Sequence, residues 1–399
     1  MSVPPVIPPV PAPSRRTARV APFLAMDVLS AARAKARQGA DIMHMEIGQP
    51  SAPTPRRPLE AARAAMASGQ IGYTEALGLP SLRERIARSY QDLYGVSVDA
   101  EQVIITTGSS GGFMLAFLAA FETGARIACA CPGYPAYRNI FNALEMETVD
   151  IPVGAANGGW SMTAAAIAAV SRLRPLDGVL VMSPSNPTGV IARPDELAAI
   201  GALCREQGLW LISDEIYHGL HYGAPASTAL ATTPDAIVVN SFSKYYCMTG
   251  WRIGWLVVPQ ALVRPIERLA QSLFISTPFL SQVAAEAAFD AIDELEAVRA
   301  GYARNRDIVL NALADLGLET APADGAFYAY VDVSRHAADS MEFCRRFLDE
   351  AGVAITPGLD FDPHRGAHFA RFSFAGSQET CVEGMARLKT FLATASLRA

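Results

Sequence analysis

Four short stretches carry side chains that can do chemistry, and each follows an apolar run: Tyr134 in CPGYP, Asn186 in SPSNPTG, Asp214 and Tyr217 in DEIYHG, and Ser241, Ser243 and Lys244 in NSFSK. A lysine amine in a crevice can form a Schiff base with an aldehyde if burial and a neighbouring cation lower its pKa. An aspartate at a strand end can keep a pyridine nitrogen protonated. Asn186 and Tyr217 can donate hydrogen bonds to a phenolate oxygen, and Tyr134 offers a face on which a ring can stack. A fifth stretch, TTGSSGGFMLAF, reads as strand, small-residue turn and apolar helix. It sets Ser109, Ser110 and Gly111 at a helix N-terminus, where free N–H groups and the helix dipole favour an anion. Arg252, a little beyond Lys244, can close on the same anion with a planar two-pronged contact.

These residues form one site only if the fold brings their loops together. Apolar runs read as strands over 103–106, 126–130, 178–182, 209–213, 236–239 and 253–258, with helices such as 112–121 and 194–207 between them. That alternation is the pattern of a mostly parallel sheet covered on both faces. Open parallel sheets bind ligands beyond the carboxyl ends of their strands, where the loops converge. An amine for an aldehyde, a carboxylate for a ring nitrogen and a cradle for a phosphate all suit one cofactor, pyridoxal 5′-phosphate.

Around this core the chain divides by character. Residues 1–20, opening MSVPPVIPPVPAP, read as a flexible proline-rich arm. A helix is expected over 22–39, within a segment 21–45 that packs with the small domain, and another near 57–68. Residues 46–285 are expected to form the large cofactor-binding domain. Beyond about residue 285, long helices and short strands near 327–333 and 368–374 mark a smaller α/β C-terminal domain, 286–399.

Composition narrows the function classes. The 399 residues are about half hydrophobic, with 33 Lys and Arg against 39 Asp and Glu, a formal charge of −6, and no basic tract fit for nucleic acid or a lipid surface. The six cysteines lack the spacing of a disulfide framework or a zinc site, which points to a reduced, cytoplasmic protein with no metal. The Cys129–Cys131 pair is a weak metal candidate, because nothing nearby completes four ligands, and His218 and His221 beside Asp214 and Glu215 are another, three residues apart and able to share a helix face. No run of the leader can span a bilayer, so no membrane partner is expected.

Taken in order, GSSGG, CPGYPAY, SPSNPTG, DEIY, SFSKYYCMTGWRIG and ARFSFA resemble the class I/II aminotransferases of the aspartate aminotransferase superfamily, fold type I. The resemblance implies a large domain with a mostly parallel mixed sheet sandwiched by helices, a smaller C-terminal domain, and a homodimer with active sites at the subunit interface. It implies ping-pong transfer of an amino group from an L-amino acid to a 2-oxo acid, 2-oxoglutarate or pyruvate, through a Schiff base on Lys244. Lys244, Asp214 and Tyr217 would be catalytic. Tyr73, in GYTEALGLPSLR, would reach the partner's phosphate; Arg371 would grip the substrate α-carboxylate, with Asn186 beside it and the Gly48 backbone against it. Members of the similar bacterial subgroup that act on aspartate often carry a lysine just after the phosphate-turn serine. Gly111 stands there in this chain, which favours neutral or aromatic donors, although Arg19 could supply the missing cation. Two rivals share the residues: a carbon–sulfur β-lyase of the same fold, and a non-catalytic cofactor-binding sensor, which the intact lysine, aspartate and arginine disfavour.

Overall fold

The computed structural model describes residues 12–396. Seven strands form the main sheet: β2 (Val103–Thr106), β3 (Arg126–Cys131), β4 (Glu147–Pro152), β5 (Gly178–Met182), β6 (Trp210–Asp214), β7 (Ile237–Ser241) and β8 (Gly254–Val257); β1 (Met43–His44) lies outside it. Their order is β2-β8-β7-β6-β5-β3-β4, and only β8 runs against its neighbours. The connection from β7 to β8 holds no crossover helix, only the short turn Thr249–Trp251, and the chain returns antiparallel. The Lys244 segment is that connection.

Each strand of the main sheet except β4 feeds two cores, because successive side chains point to opposite faces. Ile104, Ile127, Leu180, Ile212, Val239 and Leu256 meet Phe113, Phe117, Phe141 and Ile266 on one face. These come from α4 (Gly108–Ala120), α5 (Pro135–Ala143) and α8 (Gln260–Leu273); the chain-order numbers α1 to α3 belong to Leu24–Arg37, Arg56–Ala67 and Pro80–Tyr94, and α6 and α7 to Ala164–Leu173 and Pro194–Gln207. Val103, Val179, Leu211, Val238 and Val257 meet Leu82 and Ile86 of α3, Ile167 of α6 and Ile200 of α7 on the other. Burial on both faces explains why the inner strands read as unbroken apolar runs. The edge strand β4, ETVDIP, was not among the expected strands: its Glu and Asp are poor strand formers, and its burial is only partial.

Beyond these layers, β9 (Tyr328–Asp332), β11 (Thr356–Pro357) and β12 (Phe369–Ser373) make an antiparallel sheet. Its core, with Phe327, Phe343, Phe347, Phe372 and Leu388, is separate from the other two. β1 pairs in parallel with β10 (Val353–Ala354), and α1 packs its Ala32 against Leu348 and Ala354. Residues 1–11 of the proline-rich arm lie outside the described residues. From Arg16 the chain is tied to the large sheet's layer: Asn139 exchanges two hydrogen bonds with Ala21, at 3.0 and 2.9 Å, and Arg16 and Arg19 pair with Glu145. No described helix is long and apolar enough to cross a membrane.

Candidate active site

The helix α4 begins at Gly108, four residues before the start expected from sequence, because glycine-rich runs are weak helix formers and read as turns. Its first N–H groups, through Ser110, have no helical carbonyl to bond, whereas the N–H of Gly111 is the first within reach of one. Arg252 covers this end: a Cβ added to Gly108 would lie 2.4 Å from Arg252 Nη2, so only glycine permits the approach. Arg252 itself sits in the left-handed region, φ 52°, and donates to the Thr249 carbonyl at 3.1 Å. Donors and a guanidinium thus converge without a carboxylate among them, which is the chemistry of an anion cradle.

Lys244 projects from the β7–β8 connection and donates to the Gly48 carbonyl at 2.7 Å, with Nζ 5.8 Å above the Tyr217 ring. Burial lowers its pKa from 10.5 to about 8; Arg371 and Arg252 push it the same way and Asp214 opposes them. Asp214 ends β6 with no exposed surface. It accepts from Tyr137 Oη and, at 3.1 Å, from the Ile216 N–H, while burial pushes its carboxyl up to about 7. Tyr217 Oη lies 2.7 Å from Tyr328 Oη.

Arg371, on β12, reaches across to the large sheet. Its Nη1 donates to Asn186 Oδ1 at 2.8 Å and its Nη2 to the Glu46 carbonyl at 2.6 Å. The guanidinium is packed between the rings of Tyr328 and Phe361, at 4.3 and 4.7 Å. Its Nε is buried without a partner. A buried cation held by neutral groups is a receptor for an anion from elsewhere.

One cavity of about 350 Å³ joins these parts: Gly48, Ser109, Ser110, Tyr134, Asn186, Tyr217, Ser243, Lys244, Arg252 and Arg371 all line it. Asp214 lies behind its wall. Ser241 does not reach it; its Oγ lies 2.9 Å from Ser243 Oγ and 3.0 Å from the Ile253 carbonyl, so it braces the connection instead. Tyr73 is 84% exposed and stands apart from this chain's own cavity. Arg19, bound to Glu145 outside the cavity, is not brought in. Sequence reading missed Tyr137, though CPGYPAY contains it, and also Tyr328, Phe361, Asp360, Phe23 and Met26, which no local pattern marks.

A larger cavity, about 470 Å³, is lined by Tyr90, Trp255 and Phe289 and, of the residues singled out for chemistry, holds only the metal candidates His218 and His221. The two histidines of the metal candidate diverge: His218 Nδ1 bonds Tyr94 Oη at 2.7 Å, and His221 Nε2 lies 3.1 Å from Arg299 Nη1. Of the cysteine pair, Cys131 comes near Asp150 and His364. There Arg138 already donates to Asp150 at 2.5 Å and lies 4.0 Å from the sulfur. All six cysteines are buried free thiols.

Comparison with known proteins gives the family. The family model described as aminotransferase class I and II matches residues 40–388. A valine–pyruvate aminotransferase from Mycobacterium tuberculosis is 49% identical over 94% of this chain and 97% of its own length. The crystal structure of an aminotransferase from the same organism superposes with a TM-score of 0.94 at 48% identity, over 96% of this chain and 100% of that one. The aspartate aminotransferase of Thermus thermophilus with maleate superposes at 0.90 with 30% identity and the same coverage. The chain belongs to the class I and II aminotransferases, enzymes that move an amino group between an amino acid and a 2-oxo acid.

Proposed function

We propose that this transaminase works with pyridoxal 5′-phosphate held in the 350 Å³ cavity, and that Lys244 is its aldehyde-binding and proton-transferring residue. The observation that carries this is the joint placement of an amine lowered to about 8, a fully buried carboxylate behind it and two guanidinia without carboxylate partners. The residues fit the group. Arg252 with the N–H groups of Ser109 and Ser110 and the Ser243 hydroxyl would hold the phosphate, Asn186 and Tyr217 the ring hydroxyl, Tyr134 one face of the ring, and Asp214 a proton on the ring nitrogen. When bound, the cofactor supplies an electron sink conjugated with the substrate Cα.

The chain's own side chains do the rest. Arg371 binds the substrate α-carboxylate with its planar fork, aided by Asn186 and the Gly48 backbone. Lys244, neutral more readily than a solvent-exposed lysine, takes the proton from Cα and returns it elsewhere. Tyr137 donates to Asp214 and so fixes the orientation of the carboxylate that would hold the ring nitrogen's proton. Phe361 and Tyr328 keep water from the Arg371 guanidinium. The exposed Tyr73 supports a homodimer in which it completes the partner's phosphate site. The separate cores support the division into an arm to residue 20, a packing helix to 45, a large domain to 285 and a small one beyond. Free, buried thiols support a cytoplasmic setting.

The test is Lys244→Ala, which should abolish turnover while the protein stays folded. Formation of the aminated cofactor from an amino acid alone separates this reading from the β-lyase, which would release ammonia. Relatives named for valine with pyruvate and for aspartate share the framework. The framework therefore sets the reaction, and the walls of the cavity set the substrate.

A further inference from the structure

Three cations and one anion line the cavity: Lys244, Arg252, Arg371 and Asp360. On the reading above, each cation is already engaged, Lys244 by the aldehyde and the proton transfer, Arg252 by the phosphate and Arg371 by the α-carboxylate. A substrate with a second carboxylate needs another cation, since a charge moved into a site shielded from water is costly unless paired. None of the described residues that this chain contributes to the wall provides one. Gly111 has no side chain, and Arg16 and Arg19 are turned outward to Glu145.

The fourth charged group acts in the opposite sense. Asp360 is 8% exposed, and its polar partners among the described residues are the N–H groups of Leu24 and Ala25, at 2.9 and 3.3 Å. It thereby caps α1 from a part of the chain 336 residues away. This cap places Phe23 and Met26 on the cavity wall, and Asp360 adjoins Phe361, whose ring covers Arg371. One carboxylate receptor, an apolar wall and a fixed negative charge therefore share one small space.

Resting on the transaminase reading, we propose that both half-reactions take monocarboxylic substrates with neutral side chains, and that Asp360 determines this specificity by repelling a distal carboxylate and by holding Phe23 and Met26 against the substrate. For L-valine and pyruvate, the amino group and the hydrogens that accompany it pass to the oxo acid, giving 3-methyl-2-oxobutanoate and L-alanine without any other reactant.

The experiment uses holoenzyme and two readouts. One is kcat/KM for L-valine, L-leucine, L-aspartate and L-glutamate as donors, and for pyruvate and 2-oxoglutarate as acceptors. The other is calorimetric binding of unreactive 3-methylbutanoate and maleate. Like-charge juxtaposition predicts a preference of at least roughly 100-fold for the monocarboxylic compounds in both readouts. Asp360→Asn, which keeps an oxygen to cap α1, should narrow that ratio at least about tenfold. Asp360→Ala, which also frees α1, should narrow it and raise KM for valine as well. Equal use of aspartate or 2-oxoglutarate by the native enzyme, or an unchanged ratio in Asp360→Asn, overturns the proposal and leaves transamination standing. If no compound of either class reacts or binds, the transaminase reading and this inference fall together.

Discussion

Gly48→Ala tests whether the site is one mechanical unit. A Cβ at this position would lie 1.9 Å from Tyr328 Oη and 3.0 Å from its Cζ, so the tyrosine must move. It cannot move freely, because its hydroxyl meets Tyr217 at 2.7 Å and its ring lies 4.3 Å under Arg371. Overpacking costs about 1–3 kcal/mol, and loss of the Tyr217 bond about 1 kcal/mol more. Denaturant unfolding should therefore show roughly 2–4 kcal/mol lost. The same displacement disturbs the Gly48 carbonyl that Lys244 contacts, so kcat/KM should fall about 10- to 100-fold, an effect of roughly 1.4–2.8 kcal/mol on the barrier. Tyr328→Phe removes the 1.9 Å contact and leaves the 3.0 Å one. The double variant should then be more stable than Gly48→Ala alone, although Tyr328→Phe by itself destabilises. A Gly48→Ala protein within about 0.5 kcal/mol of native, or additive losses in the double variant, would refute the reasoning.

In cofactor-free protein, alkylation of Lys244 followed by mass spectrometry should be half-maximal near pH 8, rising as the amine loses its proton, and not near the usual 10.5. Arg371→Lys loses the planar fork, so KM for the amino donor should rise about 10- to 100-fold, with kcat changed less. Tyr137→Phe removes a donor that favours ionised Asp214, which raises the carboxyl pKa; the acid limb of the pH–rate profile should move to higher pH, and an unmoved limb would count against that pairing. Tyr73→Ala and Lys244→Ala homodimers should each be impaired, and hybrid dimers should recover activity in one of their two sites; no recovery would remove Tyr73 from the partner's site.

Much of the site was legible in the sequence because its parts are local. Lys244, Asn186 and Tyr134 each follow a buried strand within a few residues and Asp214 ends one, and apolar runs identify such strands without knowledge of their neighbours. The phosphate cradle was legible for the same reason, since strand, glycine turn and helix are contiguous; only the helix start, at Gly108, needed the packing of Arg252 to define it.

Tertiary structure decided what depends on distant partners. Tyr137 meets Asp214 across 77 residues and Tyr217 meets Tyr328 across 111, and no spacing rule links either pair. Ser241, equivalent to Ser243 in type and neighbourhood, faces the Ile253 carbonyl because β8 returns beside it. Asp360 in GLDFD resembles any turn-forming acid until α1 docks its free N–H groups on it. Periodicity and turn chemistry belong to neighbouring residues and survive in the bare chain; the charge balance of a cavity belongs to groups from separate elements and exists only when those elements are packed together.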